Sequence, residues 1–241
     1  MAGLRIDGGI PGQLARVPNV ARALEREGYD GCWTGEINHD PFLPMLLAAE
    51  HPMFVPEPQS YGFPKVFIAA VGEAMTEMCG EVADGVLAHA FTTRRYLDEV
   101  TTPALLHGMR RSARSRSDFQ VACPVFVVTG DSEAEWEAAA NATRKQIAFY
   151  GSTPAYRKVL KLHGWEELHS ELYRLSLHDE WETMGSLIDD DVLEAFAVVA
   201  PPAELAGGLR SRCDGVVDRV MPAFPRAVSQ ATISAVLHQL R

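Results

Sequence analysis

The stretch that decides the fold is residues 66–90, which read VFIAAVGEAMTEMCGEVADGVLAHA. Residues 66–71 are a continuous apolar run, which is typical of a strand buried on both faces of a sheet. Gly72 ends this run, and residues 74–83 repeat apolar side chains at helical spacing. A short polar turn then leads into a second apolar run over residues 86–90. A strand, a helix and a strand in this order predict two parallel strands joined by a right-handed crossover.

The same alternation continues on both sides of this unit. Six strands that alternate with helices imply a parallel sheet. No GxGxxG or GxxxxGK[ST] motif follows any of the six, so the pattern favours a barrel or a barrel fragment over a dinucleotide-binding fold. The other predicted strands cover residues 4–6, 29–33, 119–128 and 216–221.

Two local signals refine this prediction. Pro124 falls inside a predicted strand and indicates a bulge or an unpaired position there. Ser132 and Glu135 form a capping box for a long helix. Residues 155–196 are predicted to form helical hairpins without a strand, inserted before the last strand.

Composition excludes several classes of function. The 241 residues contain 22 Lys plus Arg against 32 Asp plus Glu, a net charge of −10, which argues against a nucleic-acid or anionic-membrane partner. No run approaches the ~18 apolar residues of a membrane span, and the first residues lack the pattern of a signal peptide. The four cysteines are far apart and form no CxxC pair, so neither disulfides nor a metal site are expected. We therefore expect a cytoplasmic protein.

Seven phrases along the chain carry more specific information. They are IDGG (6–9), GYDGCWT (28–34), HDPFLP (39–44), EVADGVL (81–87), CPVFVVTG (123–130), RKQIAFYGSTPAY (144–156) and FAVV (196–199). Together they resemble the luciferase-like monooxygenase superfamily, most of all its branch of oxidoreductases that depend on the deazaflavin coenzyme F420. This resemblance implies a TIM barrel whose cofactor lies at the carboxyl ends of the strands.

The chain departs from that family in one large way. Two βα units, at least ~60 residues at the size of such units, have no counterpart, and the junction falls near residues 51–53. The expected fold is α/β, a single TIM-barrel-derived domain over residues 1–241 shortened to about six parallel strands. An open sheet, a distorted barrel or a dimer that covers the gap would each accommodate the loss. Because bare strand edges invite pairing with another chain, we expect a homodimer.

Glu36 and His39 follow the second predicted strand, at the face where barrel enzymes place catalytic groups. The resemblance implies that an acidic residue and a histidine near this point line the cofactor pocket, and that the histidine donates a proton or binds substrate. Two residues separate the pair here, whereas the family's common pattern has them adjacent. Alternatively, His39 braces the helix that follows it.

The strand ends within residues 66–90 supply the expected cofactor contacts. Gly72, Glu73 and Ala74 begin a helix whose free N–H groups suit a phosphate, although the Glu73 carboxylate is a poor neighbour for an anion and a plain tight turn is the alternative. The residues after the next strand face the same pocket: Thr92 could hold a phosphate or ribityl chain, Phe91 could pack on a ring, and His89 either joins them or is an ordinary loop histidine.

The leading hypothesis is an oxidoreductase that uses F420 to transfer a hydride to a small organic substrate. A monooxygenase that uses flavin mononucleotide (FMN) is a variant of the same class. A shortened paralogue that binds a flavin or deazaflavin without turnover, and a degenerate chain that folds poorly, are the alternatives.

Overall fold

The computed structural model describes residues 4–11, 13, 16–33, 65–224 and 228–240. Short apolar runs form its strands, in keeping with their β-branched and aromatic content. The strands are β1 (Arg5–Gly9), β2 (Gly31–Trp33), β3 (Phe67–Ala70), β4 (Gly85–Ala88), β5 (Gln120–Val128), β6 (Ala197–Val199) and β7 (Arg219–Ala223).

Helices connect most of these strands, and none within the described ranges is both long and apolar enough to cross a membrane. They are α1 (Val17–Glu27), α2 (Glu73–Val82), α3 (Arg94–Tyr96), α4 (Thr102–Arg111), α5 (Glu133–Gly151), α6 (Arg157–Leu162), α7 (Glu166–Ser176), α8 (Trp181–Ser186), α9 (Asp190–Phe196), α10 (Leu205–Cys213) and α11 (Gln230–Leu240). A π-helical segment, Leu97–Thr101, joins α3 to α4.

The sheet is a parallel half-barrel with the order β2-β1-β7-β5-β4-β3, and β6 pairs with β5. Every ladder is parallel, with partners such as Ile68 and Val86 between β3 and β4. Because all strands run in the same direction, their carboxyl ends meet at one edge, which we call the upper edge. The predicted fold class, a shortened parallel barrel derivative with a helical insertion, is confirmed.

Two details refine the sequence-based expectation. Of the two possibilities that Pro124 left open, the bulge is wrong, because the register between β5 and β7 passes through the proline without a break. The unpaired position is confirmed, because the ladder between β5 and β4 ends at Ala122, two residues before the proline. A seventh strand, β6, follows the helical insertion directly; its three residues are too few to show a clear alternation.

Two buried clusters hold the sheet between helices. The strands pack against α2, α4, α10 and α11 in the first cluster, and the carboxyl half of β5 packs against α5–α9 in the second. Strand β5 belongs to both because successive side chains point to opposite faces: Val125 and Val127 enter the first cluster, and Phe126 and Val128 the second. The second cluster therefore seats the helical insertion beside the upper edge.

Helices α2 and α4 cross in unusually close contact at two glycines. A Cβ atom added to Gly80 would lie 2.3 Å from the Leu105 carbonyl oxygen, and one added to Gly108 would lie 1.9 Å from the Glu77 carbonyl oxygen. The absence of side chains at both positions lets the two backbones touch. This crossing fixes α2, and with it the strand-to-helix turn at Gly72.

Candidate functional site

The loops that leave the upper edge bring the predicted site residues of β3 and β4 together. Strands β3 and β4 are hydrogen-bonded neighbours, so Gly72 and His89 begin adjacent loops. Glu36 and His39 lie outside the described residues, as does the expected junction at residues 51–53. The described part of the site therefore consists of the loops after β3, β4 and β5 and of the helical insertion.

The turn after β3 presents an open helix N-terminus. Gly72 is the N-cap of α2 with extended backbone (φ −93°, ψ 156°), and no side chain caps the helix there. Among the residues that the structure describes, none would lie within 4 Å of a Cβ atom at Gly72. Glu73 and Ala74 follow in the first turn and are exposed. Within the described part of the chain, the first N–H groups of α2 therefore have no side-chain cap, an arrangement suited to an anion.

The acidic neighbour of this turn has a cationic partner that the sequence analysis did not identify. The Lys158 ammonium lies 3.5 Å from a Glu73 carboxylate oxygen. Both side chains are largely exposed, so the pair contributes little to stability. Its consequence is local: it offsets the charge of Glu73 beside the open helix N-terminus and draws α6 next to α2.

His89 leaves β4 at the upper edge and is held in one tautomer. Its Nδ1 accepts a hydrogen bond from the Phe91 backbone N–H at 3.0 Å. A neutral imidazole with an accepting Nδ1 carries its proton on Nε2. Burial lowers the pKa of His89, which favours the neutral form.

Two tyrosines enclose this imidazole: Tyr150, near the end of α5, and Tyr156, in the helical insertion. The Tyr156 ring stacks on His89 at 4.7 Å between centroids, with its hydroxyl 3.3 Å from His89 Nε2. The Tyr150 ring meets His89 edge-on at the same centroid distance. All three rings are half-buried. Neither tyrosine was predicted; the only sequence signal was their place in the phrase at 144–156, because their contact with His89 spans more than 60 residues.

Phe91 and Thr92 lie beneath the loop rather than on its open side. Phe91 is 1% exposed and stacks on Phe196 at 4.4 Å, so its ring anchors the loop in the second buried cluster. Thr92 is 6% exposed, and its buried hydroxyl oxygen has no hydrogen-bond partner among the described residues. Thr129, directly after β5, carries a second such hydroxyl. Two orphaned hydroxyls at neighbouring strand ends mark the polar lining of this edge.

One carbonyl group of the same loop is held by a half-buried arginine. Arg212 donates to the Thr92 carbonyl at 2.8 Å and to the carbonyls of Ala195 and Phe196 at the end of α9. Burial lowers the pKa of this guanidinium. A helix C-terminus favours a cation, which explains why three carbonyls suffice to hold it. No cluster of metal-ligating side chains occurs among the residues that the structure describes.

Comparison with known proteins gives this arrangement a family context. Residues 46–219 match the luciferase-like monooxygenases (Bac_luciferase). The chain is 46% identical to the uncharacterized protein Rv1360 of Mycobacterium tuberculosis, in an alignment that covers 99% of this chain and 98% of the relative. That alignment runs over 334 positions, whereas this chain has 241 residues, so about 90 positions of the relative have no counterpart here.

More distant relatives carry functional names. A 5,10-methylenetetrahydromethanopterin reductase of Methanopyrus kandleri is 27% identical over 70% of this chain, and the match spans 44% of that enzyme. The solved structure of a coenzyme F420 dependent tetrahydromethanopterin reductase from the same organism matches 73% of this chain and 49% of its own (TM-score 0.57, 22% identity). An F420-dependent secondary alcohol dehydrogenase matches over the full length of both chains (TM-score 0.65, 11% identity). At these identities the structures show the shared fold.

Proposed function

Because the chain belongs to the luciferase-like monooxygenase family, we propose that it is an oxidoreductase that uses coenzyme F420 to transfer a hydride to a small organic substrate. The observation that carries the proposal is the convergence at the upper edge of an open helix N-terminus at Gly72 with the polar and aromatic group around His89. A coenzyme F420 dependent reductase and an F420-dependent dehydrogenase among the similar solved structures support the choice of cofactor.

The residues present fit the phosphate part of such a cofactor. The space above Gly72 is open where a side chain would fill it, and Lys158 offsets the charge of Glu73. We propose that the N–H groups of Glu73 and Ala74 bind the phosphate. When bound, a reduced deazaflavin supplies the hydride, and the protein supplies position and protonation.

The roles of Glu36 and His39 stay predictions. The resemblance assigns them to the cofactor pocket, with His39 donating a proton or binding substrate. An imidazole suits either task because its ordinary pKa lies close to neutral pH. His39→Ala is expected to lower turnover while cofactor binding is largely kept, whereas a protein that only sequesters the cofactor has no turnover to lose.

A titration of the purified, monodisperse protein with F420 and with FMN tests the cofactor, with quenching of cofactor fluorescence as the readout. Saturable binding of F420 in the micromolar range is expected. Binding of FMN alone would instead support the monooxygenase or flavin-binding alternatives. Binding of neither by a folded sample would refute the proposal.

Substitution at Gly72 sharpens the titration. An aspartate is a good N-cap, so Gly72→Asp is expected to keep or slightly raise stability. The same side chain fills the open space with negative charge and is expected to weaken F420 binding at least tenfold. Gly207→Asp is the matched control, since Gly207 also faces open space but lies on α10. Equal affinities in the two variants would exclude the phosphate site at Gly72.

A second candidate, a binding protein without turnover, is favoured by the length of the chain. About 90 positions of a 46% identical relative are missing, and residues of the missing part could include catalytic groups. This candidate predicts F420 or FMN binding without reduction of any substrate. Single-turnover mixing of the reduced cofactor complex with candidate substrates separates it from the enzyme.

We further propose a homodimer formed at the β3 side of the sheet. Strand β3 ends the described strand order, and the large apolar side chains Val66, Met75 and Val82 are exposed there. A second copy would cover this surface. Sedimentation velocity is expected to show a dimer that Val82→Glu weakens and that Leu177→Glu, at an exposed leucine of the helical insertion, leaves intact.

The four cysteines are free, which is consistent with our placing the protein in the reducing cytoplasm.

A further inference from the structure

The His89–Tyr156 pair takes no part in the phosphate contacts proposed above, yet its hydrogen bonds have a fixed order. The Phe91 N–H occupies Nδ1 of His89, so Nε2 carries the imidazole proton and donates it to the Tyr156 hydroxyl oxygen. The phenol therefore accepts from His89 and keeps its own proton for another acceptor. This series of hydrogen bonds, from the Phe91 backbone through the imidazole to the phenol, ends in an O–H donor.

The surroundings hold this donor at the upper edge. Tyr156 is stacked on His89 and flanked by the Tyr150 ring, which restricts rotation of the phenol. Tyr156 immediately precedes α6, and Lys158 of that helix reaches Glu73 at the start of α2. The phenol thus lies beside the loops that leave both β3 and β4. Its ring is half-buried, so a ligand can approach the hydroxyl.

We propose that Tyr156 donates a hydrogen bond to the carbonyl oxygen of a ketone or aldehyde substrate, and that His89 is the positioning residue that aims it. This inference rests on the proposed function. A lone O–H donor suits a carbonyl oxygen, on which negative charge develops as a hydride reaches the carbon. A carboxylate would call for a cation, and the nearby Lys158 is already paired with Glu73.

The balance of the step is simple. The hydride and its electron pair come from the reduced deazaflavin, which is oxidised, and form a C–H bond at the carbonyl carbon. The carbonyl oxygen takes the Tyr156 hydroxyl proton, and the reduced substrate is released as an alcohol. The phenolate accepts the His89 Nε2–H bond until water returns the proton to the partly exposed hydroxyl.

The inference is tested on the full chain with F420 and three probes: acetone, cyclohexanone and benzaldehyde. Tyr156→Phe is expected to lower kcat at least 100-fold for any probe that the parent protein reduces, while the F420 dissociation constant changes less than twofold. Tyr173→Phe, which deletes a hydroxyl on α7, is the matched control. His89→Gln, whose amide can still donate to Tyr156, is expected to retain more activity than His89→Leu.

The pH profile supplies a readout that a merely structural role would not move. Protonation of Nδ1 breaks its bond from the Phe91 N–H, so activity is expected to fall in acid and this acidic limb to be absent in His89→Gln. Within the described ranges, the charged or titratable groups that face or neighbour His89 are the hydroxyls of Tyr150 and Tyr156 and, on α2 and α6, the Glu73–Lys158 pair. Nitrogen NMR of the apoprotein is expected to show His89 protonated on Nε2.

Each outcome decides between the two proposals. If the Tyr156→Phe variant reduces a probe with a kcat within threefold of the parent's, the inference is overturned and the proposed function still stands. F420 binding without reduction of any of the three probes would overturn the carbonyl assignment alone. No F420 binding would overturn the proposed function, and an Nδ1–H tautomer of His89 would overturn the orientation of Tyr156 in either case.

Discussion

The Asp7 carboxylate and the Arg219 guanidinium form a two-pronged ion pair that ties β1 to β7, with Nε 2.6 Å from Oδ2. The side chains are only 10% and 13% exposed. Gly31 on β2 makes room for them, because a Cβ atom there would lie 2.6 Å from both partners. The residues of three neighbouring strands, β2, β1 and β7, thus fit together at one polar contact.

Loss of one partner of this pair is expected to destabilise the fold. Asp7→Asn removes the carboxylate that is hydrogen-bonded to a mostly buried guanidinium and should lower the free energy of unfolding by about 3–5 kcal/mol. Urea denaturation followed by circular dichroism measures the change. The exposed Arg95–Glu99 pair is the control, since Glu99→Gln should cost no more than about 0.5 kcal/mol. Equal losses of unfolding free energy in both variants would show that the Asp7–Arg219 pair stabilises the fold no more than an exposed ion pair does.

The crossing of α2 and α4 predicts a contrast between two glycine substitutions. Gly108→Ala forces a methyl group against the Glu77 carbonyl, and separating the helices should cost about 3 kcal/mol or more. Gly207→Ala places its methyl group in open space on α10 and should stabilise the protein by about 0.5–1 kcal/mol through helix propensity. Thermal unfolding of both variants beside the parent checks the opposite signs. A tolerated Gly108→Ala would contradict the observed contact.

The sequence predicted six of the seven strands in the described ranges because each is a short apolar run between turn residues. Buried strands such as β4 and β5 need only that pattern to be recognised. Ser132 behaves as predicted and accepts a hydrogen bond from the Glu135 N–H. The Glu135 carboxylate, however, accepts from the Asp131 N–H rather than from that of Ser132.

The candidate site was predictable only where it follows directly from strand ends. Gly72 and His89 were identified because a parallel sheet gathers such positions at one edge. Tyr156, Lys158 and Arg212 were not, since each reaches the site from a helix far along the chain. Contacts of that kind depend on how the insertion packs in the second cluster, and local spacing does not encode this packing. Phe91 shows the converse, since its place after β4 did not reveal that its ring points into the core.

Arg212 offers a test of how the loop after β4 is held. Lysine keeps the charge but cannot reach three carbonyls in a planar fork, so Arg212→Lys should lose about 1–3 kcal/mol of stability. Because one of those carbonyls belongs to Thr92, hydrogen exchange at residues 90–93 should accelerate more than in the rest of the sheet. Arg95→Lys at an exposed position of α3 is the control, with unchanged exchange expected. Faster exchange across the whole protein would indicate global rather than local loosening.

The pH dependence of stability should reflect two partly buried histidines. Burial lowers the pKa of His89, and burial together with Arg95 lowers the pKa of His163, whose Nε2 lies 2.8 Å from the Thr93 hydroxyl. The unfolded chain protonates its histidines near pH ~6.5, before the folded protein does. Their contribution to stability is therefore complete above that pH and is lost progressively as the pH falls toward the lowered folded-state pKa values.

Urea denaturation at several pH values between about 7.5 and 5.5 measures this loss. His89→Gln and His163→Gln should each flatten the decline of the unfolding free energy over that interval, whatever they do to its absolute value. The exposed His178 supplies the control, because His178→Gln should leave the slope as it is in the parent. A parent slope that neither His89→Gln nor His163→Gln changes would mean that other groups govern the acid response, and that His89 takes up its proton as readily in the folded protein as in the unfolded chain.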